Sequence, residues 1–197
     1  MRVSQNLFAG PFLREFAKDH KVIGAVAPSS SFLAREMVRG LRLESRKVIV
    51  EFGPGTGAFT REIVRRARPD SRFVAIEVNE KMARSFRAEF PGVTLVHDSA
   101  ERLPKILNDI GETSADCIVS GLPWAFFSAD QQDRILDTAC DCLAEGGTFA
   151  TFCYLHGMLL PQGQRFKRAL HSRFRSVSKS NLEFRNLPPA FVYWCAK

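Results

Sequence analysis

The sequence predicts an α/β fold, a mostly parallel sheet clothed in helices and finished by an antiparallel hairpin. Three observations lead to it. Strand-like runs alternate with helix-like stretches along most of the 197 residues, the pattern of βαβ units. A turn carrying Gly53, Gly55 and Gly57 joins the apolar run Val48-Ile49-Val50 to a stretch with apolar residues at helical spacing. Near the end, only Arg185 to Ala190 separate two strand-like runs, too few residues for the crossover that a parallel pair needs. Hydrophobic residues make up 45% of the chain, enough for one sizeable core at this length. Residues 1–22 read as an amphipathic N-terminal segment and 23–197 as one domain, with no repeat and no low-complexity stretch.

The elements follow in order. Pro11 suits the first position of a helix. Phe12, Leu13 and Phe16 then share a face, with Leu7 and Phe8 upstream and Arg14, Lys18 and Lys21 supplying charge. Such a segment can lie in a membrane interface or fold as a lid over a ligand pocket. Val48-Ile49-Val50 reads as a buried first strand, and Ala58 to Ala67 as a helix with Phe59, Ile63, Val64 and Ala67 at helical spacing. Val74-Ala75-Ile76 is the second strand. Asn79 caps a helix through Phe90, with Met82, Ala83, Phe86 and Phe90 inward. Val93 to Val96 and Ala115 to Ser120 are the third and fourth strands. Ser128 and Gln131 have capping-box spacing for a helix showing Ile135, Leu136, Ala139 and Leu143, expected to stop at Gly146-Gly147. Thr148 to Tyr154 is the fifth strand, a basic helix runs from about Gln164 to Phe174, and the last strands are about Ser176 to Phe184 and Phe191 to Cys195.

The glycine turn is the centre of the functional reading. Glycines let a backbone turn tightly and approach a ligand closely, and a strand, glycine loop and helix hold nucleotide-like ligands in open α/β sheets. About twenty residues beyond the loop, Glu77 follows the second strand, where a carboxylate accepts hydrogen bonds from both ribose hydroxyls. Three ligands compete. A phosphate-cradling loop needs Lys-Ser/Thr after its last glycine, whereas Ala58-Phe59 follow Gly57. A dinucleotide fingerprint can be laid on Gly53, Gly55 and Ala58, and Glu77 suits it. Against it, Glu51 stands two residues before the first glycine and the third glycine falls at Gly57. The run from Glu51 through Gly53, Gly55 and Gly57 resembles motif I of the class I S-adenosylmethionine (SAM) methyltransferases. In that family an acid after the third strand contacts the adenine amine, which points to Asp98. The resemblance extends the cofactor-binding set to Ser99, Ala100 and Gly121.

Composition excludes several classes. No run of about 18 apolar residues is present, so no membrane-spanning helix is expected, and Met1 to Asn6 lack the apolar core of a signal peptide. Five cysteines, Cys117, Cys140, Cys142, Cys153 and Cys195, stand at no metal-ligand spacing. They read as reduced, mostly buried cysteines of a cytoplasmic protein, and no metal is expected. The net charge of +7 implies an acidic partner, nucleic acid or an anionic membrane surface.

A narrower resemblance rests on three segments: Gly24-Ala25-Val26-Ala27-Pro28-Ser29-Ser30, the loop from Glu51 to Gly57, and Arg185-Asn186-Leu187-Pro188-Pro189-Ala190. Over about residues 10 to 197 the chain is similar to bacterial phospholipid N-methyltransferases. These are compact peripheral-membrane enzymes that methylate phosphatidylethanolamine stepwise towards phosphatidylcholine. The resemblance implies a seven-stranded, Rossmann-like methyltransferase sheet of five parallel strands and a C-terminal antiparallel hairpin. It also implies SAM as cofactor, a phospholipid substrate at an anionic membrane surface, a cytoplasmic location against that membrane, and a monomer. Tyr154 matches a family tyrosine in the substrate site. With His156 nearby to take a proton and Trp124 offering an aromatic face to a methylated ammonium, these three form the expected catalytic group. Leu122, Pro123, Trp124 and Arg185 form the expected substrate-binding group, Arg185 holding a lipid phosphate. Tyr154, Trp124 and His156 also have plain readings as packing or loop residues, and Arg185 as a solvated arginine.

Two other function classes stay open. The rRNA adenine dimethylases share the Gly53-Pro54-Gly55-Thr56-Gly57 loop, but place Asn or Asp before x-Pro-aromatic where this chain has Gly121-Leu122-Pro123-Trp124. Gly121 has no side chain to grip an amine, and the chain is expected to lack their C-terminal RNA-binding domain. A small-molecule methyltransferase and a non-catalytic nucleotide-binding module remain on the same scaffold.

Overall fold

The computed structural model describes residues 29–197. The expected amphipathic segment at 1–22, and the 24–28 part of the first family-like segment, lie outside them. The first described element is a helix that the sequence pattern does not single out, α1 (Ser31–Arg39), capped by the Ser30 side chain on the Leu33 amide. The alternation then runs β1 (Val48–Phe52), α2 (Ala58–Arg66), β2 (Arg72–Ile76), α3 (Glu80–Glu89), β3 (Thr94–Val96), α4 (Leu103–Asp109) and β4 (Ala115–Ser120). It continues with α5 (Ala129–Cys142), β5 (Leu143–Tyr154), α6 (Pro161–Arg173), β6 (Ser176–Lys179) and β7 (Ala190–Ala196). The seven strands form one sheet in the order β3-β2-β1-β4-β5-β7-β6. The first five pair in parallel, and β7 pairs antiparallel with both β5 and β6. The expected architecture is therefore the observed one.

Strand periodicity sorts the core into two layers. Val48, Val50 and Phe52 of β1 face one cluster with Leu103, Ile106, Leu136 and Phe166. Ile49, between them, faces the other with Leu33, Met37, Phe59 and Ile63. Both faces of the parallel strands are thus covered, which is why β1 is buried along its whole length.

Some boundaries and faces differ from expectation. The fifth helix ends at Cys142 rather than at Gly146-Gly147. Leu143 is already extended, at φ −73° and ψ 136°, and opens β5 five residues before the expected Thr148. Met82, expected inward, is exposed, as is Val64, because each helix buries only one stripe against the sheet. The strand after Ser176 stops at Lys179, well short of Phe184. All five cysteines are free and four are buried. Among the described residues no helix is long and apolar enough to cross a membrane.

Candidate active site

The parallel strands end together at one edge of the sheet, the edge where open α/β sheets take their ligands. There the glycine loop bends out of β1 with φ of 62°, 55° and 73° at Gly53, Gly55 and Gly57. Gly57 is fixed by more than its dihedral, since a Cβ there would lie 2.2 Å from the Phe90 ring. The Gly53 amide donates to the Ile76 carbonyl, and the Gly121 amide to the Phe52 carbonyl. A Cβ at Gly121 would stand 2.5 Å from the Gly53 carbonyl oxygen. Gly121, one of the expected cofactor-binding residues, therefore brings the end of β4 against the glycine loop.

Two acids sit behind the loop. Glu51 is fully buried, and its Oε2 accepts a 2.7 Å hydrogen bond from the Thr60 hydroxyl on α2. Among the described residues its Oε1 has no partner. Burial pushes the Glu51 carboxyl up to about 8; the Thr60 hydroxyl opposes the rise and the nearby Glu77 charge adds to it. Glu77 is also buried. Its Oε1 accepts from the Asn79 amide at 2.9 Å. Burial raises this carboxyl too, against backbone hydrogen bonds from Asn79, Gly55 and Val78. Next to β2 in the sheet, β3 leads to Asp98, whose Oδ1 accepts from the Ser99 amide at 2.7 Å. Ser99 in turn caps the short helical turn that starts at Ala100.

These residues fit SAM. A buried carboxylate oxygen with no partner marks a place where a donor or cation from a ligand completes the hydrogen bonding. The backbone beside it is held clear of side chains by the glycines. Glu77 and Asp98 offer further acceptors along the same edge. Thr60, which holds Glu51, went unnoticed in the sequence, although it lies one helical turn beyond the last glycine.

The expected substrate residues divide. Tyr154, half-buried at the end of β5, stacks on the exposed His156 ring at 5.5 Å between centroids. Burial pushes the Tyr154 hydroxyl up to about 12, so it stays protonated and able to donate. Leu122 leans on the glycine loop, where a Cβ on Gly53 would touch its Cδ2 at 2.9 Å, and Pro123 is half-buried beside it.

Trp124 lies in the core. Its indole is 1% exposed, stacks on Phe166 at 4.5 Å and donates to the Thr151 hydroxyl at 2.9 Å. Its ring faces are used by the core, so it is a packing residue. Arg185 is diverted as well. Its guanidinium forms two 2.8 Å bonds with the Glu183 carboxylate and lies 3.8 Å from the centre of the Phe32 ring, so a lipid phosphate would compete with Glu183 for it. Beside it, the buried Asn186 accepts from the Ser30 amide at 2.8 Å and donates to the Pro188 carbonyl at 2.7 Å. The two outer family-like segments, far apart in sequence, are thus tied together through Asn186. Among the described residues no group of His, Cys, Asp and Glu is placed to hold a metal.

Comparison with known proteins agrees with this geometry. Residues 49–147 match the family model described as a methyltransferase domain. The chain is 35% identical over 187 residues, 93% of each protein, to the ornithine lipid N-methyltransferase of Singulisphaera acidiphila. Among solved structures, the O-methyltransferase TomG of Streptomyces achromogenes, in complex with SAM, superposes with a TM-score of 0.69 at 19% identity, over 95% of this chain and 90% of that one. The O-methyltransferase of Bacillus cereus, in complex with SAH, gives 0.70 at 16% identity, over 94% and 90%. The chain is therefore a member of the class I SAM-dependent methyltransferase family.

Proposed function

We propose that this enzyme methylates the primary amine of a membrane lipid, of the phosphatidylethanolamine type. The observation that carries the reading is the 93% coverage shared with an ornithine lipid N-methyltransferase, which agrees with the lipid-enzyme motifs at Ser29-Ser30 and Arg185 to Ala190. That relative also favours ornithine lipid as a second substrate, and both headgroups present a primary amine.

SAM supplies an activated methyl group on a sulfonium. What the chain must add is a cradle for the cofactor and a neutral, aligned, water-shielded amine. Glu77 is assigned the ribose hydroxyls, Glu51 the cationic end of the cofactor behind the Gly53, Gly55 and Gly57 backbone, and Asp98, with Ser99 and Ala100, the adenine. Gly121, Leu122 and Pro123 close the loop side of the pocket. A lipid amine has a pKa near that of lysine, about 10, so a proton must leave before the lone pair is usable. Tyr154 orients the amine through its hydroxyl, and His156, stacked upon it and open to solvent, takes the proton directly or through a water.

Two results are expected. Glu77→Ala weakens SAM binding by about 1.5–3 kcal/mol, the loss typical of a hydrogen bond to a charged group; unchanged affinity by calorimetry, with the fold intact, removes the assignment. Tyr154→Phe lowers turnover roughly tenfold or more through misplacement of the amine and leaves SAM affinity near that of the parent. Incubation with methyl-labelled SAM and, separately, phosphatidylethanolamine, ornithine lipid and rRNA tests the function. Label in either lipid supports it, and label in rRNA alone overturns it.

A further inference from the structure

The described residues expose eight large apolar side chains, and six of them, Phe32, Leu155, Leu159, Leu160, Phe184 and Leu187, fall in three segments that meet at one end of the molecule. Their meeting is built into the fold. The Leu155 amide donates to the Pro189 carbonyl and Glu183 bridges to Ala190, which joins the segment after β5 to the segment before β7. The Asn186 bond to Ser30 and the Arg185 guanidinium over Phe32 join both to the start of α1. The most exposed members are Leu159 at 83%, Leu187 at 71% and Phe184 at 69%. Contiguous exposed apolar surface marks an interaction site rather than chance.

The chemistry of the rim selects the partner. Arg35 lies over the Phe32 ring at 4.7 Å, and Arg185, paired with Glu183, lies over it at 3.8 Å, so Arg35 supplies the unneutralised cation beside an aromatic and leucine-rich centre, on a chain of net charge +7. Projecting leucines, an aromatic ring and arginines together suit the headgroup and acyl boundary of an anionic bilayer. Leu160 continues the patch into an apolar groove of about 420 Å³ with Ala125, Phe126 and Phe127 among its walls. Tyr154 immediately precedes Leu155, so the patch borders the proposed amine site. On the basic helix α6, Arg165 pairs with Asp133, and Arg173 with Asp133 and Asp137, and none of the exposed large apolar side chains lies on that helix.

We infer that the 155–160 and 184–187 segments, with Phe32, form a bilayer-docking surface that presents the site directly to lipid. This rests on the lipid-methyltransferase reading and adds to it the face by which substrate arrives. The test compares the full chain with Leu159→Ser/Phe184→Ser/Leu187→Ser in sedimentation with vesicles of phosphatidylglycerol and phosphatidylethanolamine at low and high salt. The triple variant is expected to lose at least tenfold in the salt-resistant partitioning and to keep SAM affinity and methylation of lipid in detergent micelles. Val64→Ser/Met82→Ser, which alters the two exposed apolar residues outside the patch, should partition as the parent does. As a second measurement, a tryptophan introduced as Leu159→Trp should be quenched by brominated acyl chains.

Unchanged partitioning of the triple variant, or no added quenching at position 159, overturns the inference. So does loss of all salt-resistant binding in Phe12→Asp/Phe16→Asp alone, which makes the N-terminal segment the docking element. Micellar methylation separates the two readings. If docking is lost as expected and no variant, parent included, methylates micellar lipid, it is the substrate assignment that fails.

Discussion

Trp124→Ala is expected to lower folding stability by about 3–5 kcal/mol, the cost of emptying an aromatic site in a packed core. The cavity cannot collapse easily, because the indole is enclosed by Phe127, Phe149 and Phe166. Its N–H holds the Thr151 hydroxyl, which itself donates to the Ser120 carbonyl, so truncation also strips a partner from a buried network. Gln132 keeps the Trp124 carbonyl at 2.8 Å, and that main-chain contact survives the substitution. For a domain of this size the loss corresponds to a melting temperature lower by roughly 6–20 °C. Trp124→Phe keeps most of the ring and isolates the hydrogen-bond part, about 1–3 kcal/mol. Urea unfolding of both variants measures this. A Trp124→Ala protein as stable as the parent but slow in turnover would return the indole to the substrate.

Trp124 also shows where sequence reading stopped. The chain's local chemistry was legible: the glycine loop, the Asn79 and Ser128 caps and the strand acids depend on near neighbours, and each stands where its residue type predicts. Whether an aromatic after Pro123 points to solvent or to the core depends on α6, some forty residues later, which brings Phe166 against it. The contacts of Arg185 are beyond local reading for the same reason. Its carboxylate partner is only two residues away, but the turn that lets Glu183 reach back, and the placement of Phe32 beneath, are tertiary facts. The start of β5 was missed because Gly146 and Gly147 looked like a helix stop, while the capping bonds of Leu143 already close the helix after Cys142. Asn186 lay inside a quoted motif without a role. Nothing local says that its side chain ties residue 30 to the last loop.

The acid behind the glycine loop gives the second large effect, and it is a pH effect. The Glu51 carboxyl rises from 4.5 to about 8 in the fold, chiefly through burial. Below about pH 4.5 both the folded and the unfolded chain hold this proton and nothing is lost. As pH rises above that value the unfolded chain releases the proton while the fold retains it, so stability declines, and the decline is complete once pH passes about 8. Each pKa unit is worth about 1.4 kcal/mol, so the whole span amounts to several kcal/mol. Burial raises Glu77 in the same direction. Glu51→Gln can keep the Thr60 hydrogen bond and has no proton to lose. Its cofactor-free form should therefore unfold at higher urea than the parent at pH 8, with little difference at pH 4.5. Equal pH slopes for parent and variant would remove Glu51 as the source. The same group then predicts a signature of binding. If the proposed pairing of Glu51 with the cationic end of SAM holds, the carboxyl must ionise as the cofactor enters, and a proton is released at pH 7. The binding enthalpy of the parent should therefore vary with the ionisation enthalpy of the buffer, and Glu51→Gln should abolish that variation. A buffer-independent enthalpy in the parent would mean that Glu51 stays protonated beside the cofactor, serving as a hydrogen-bond donor through its carboxyl proton rather than as a counter-charge.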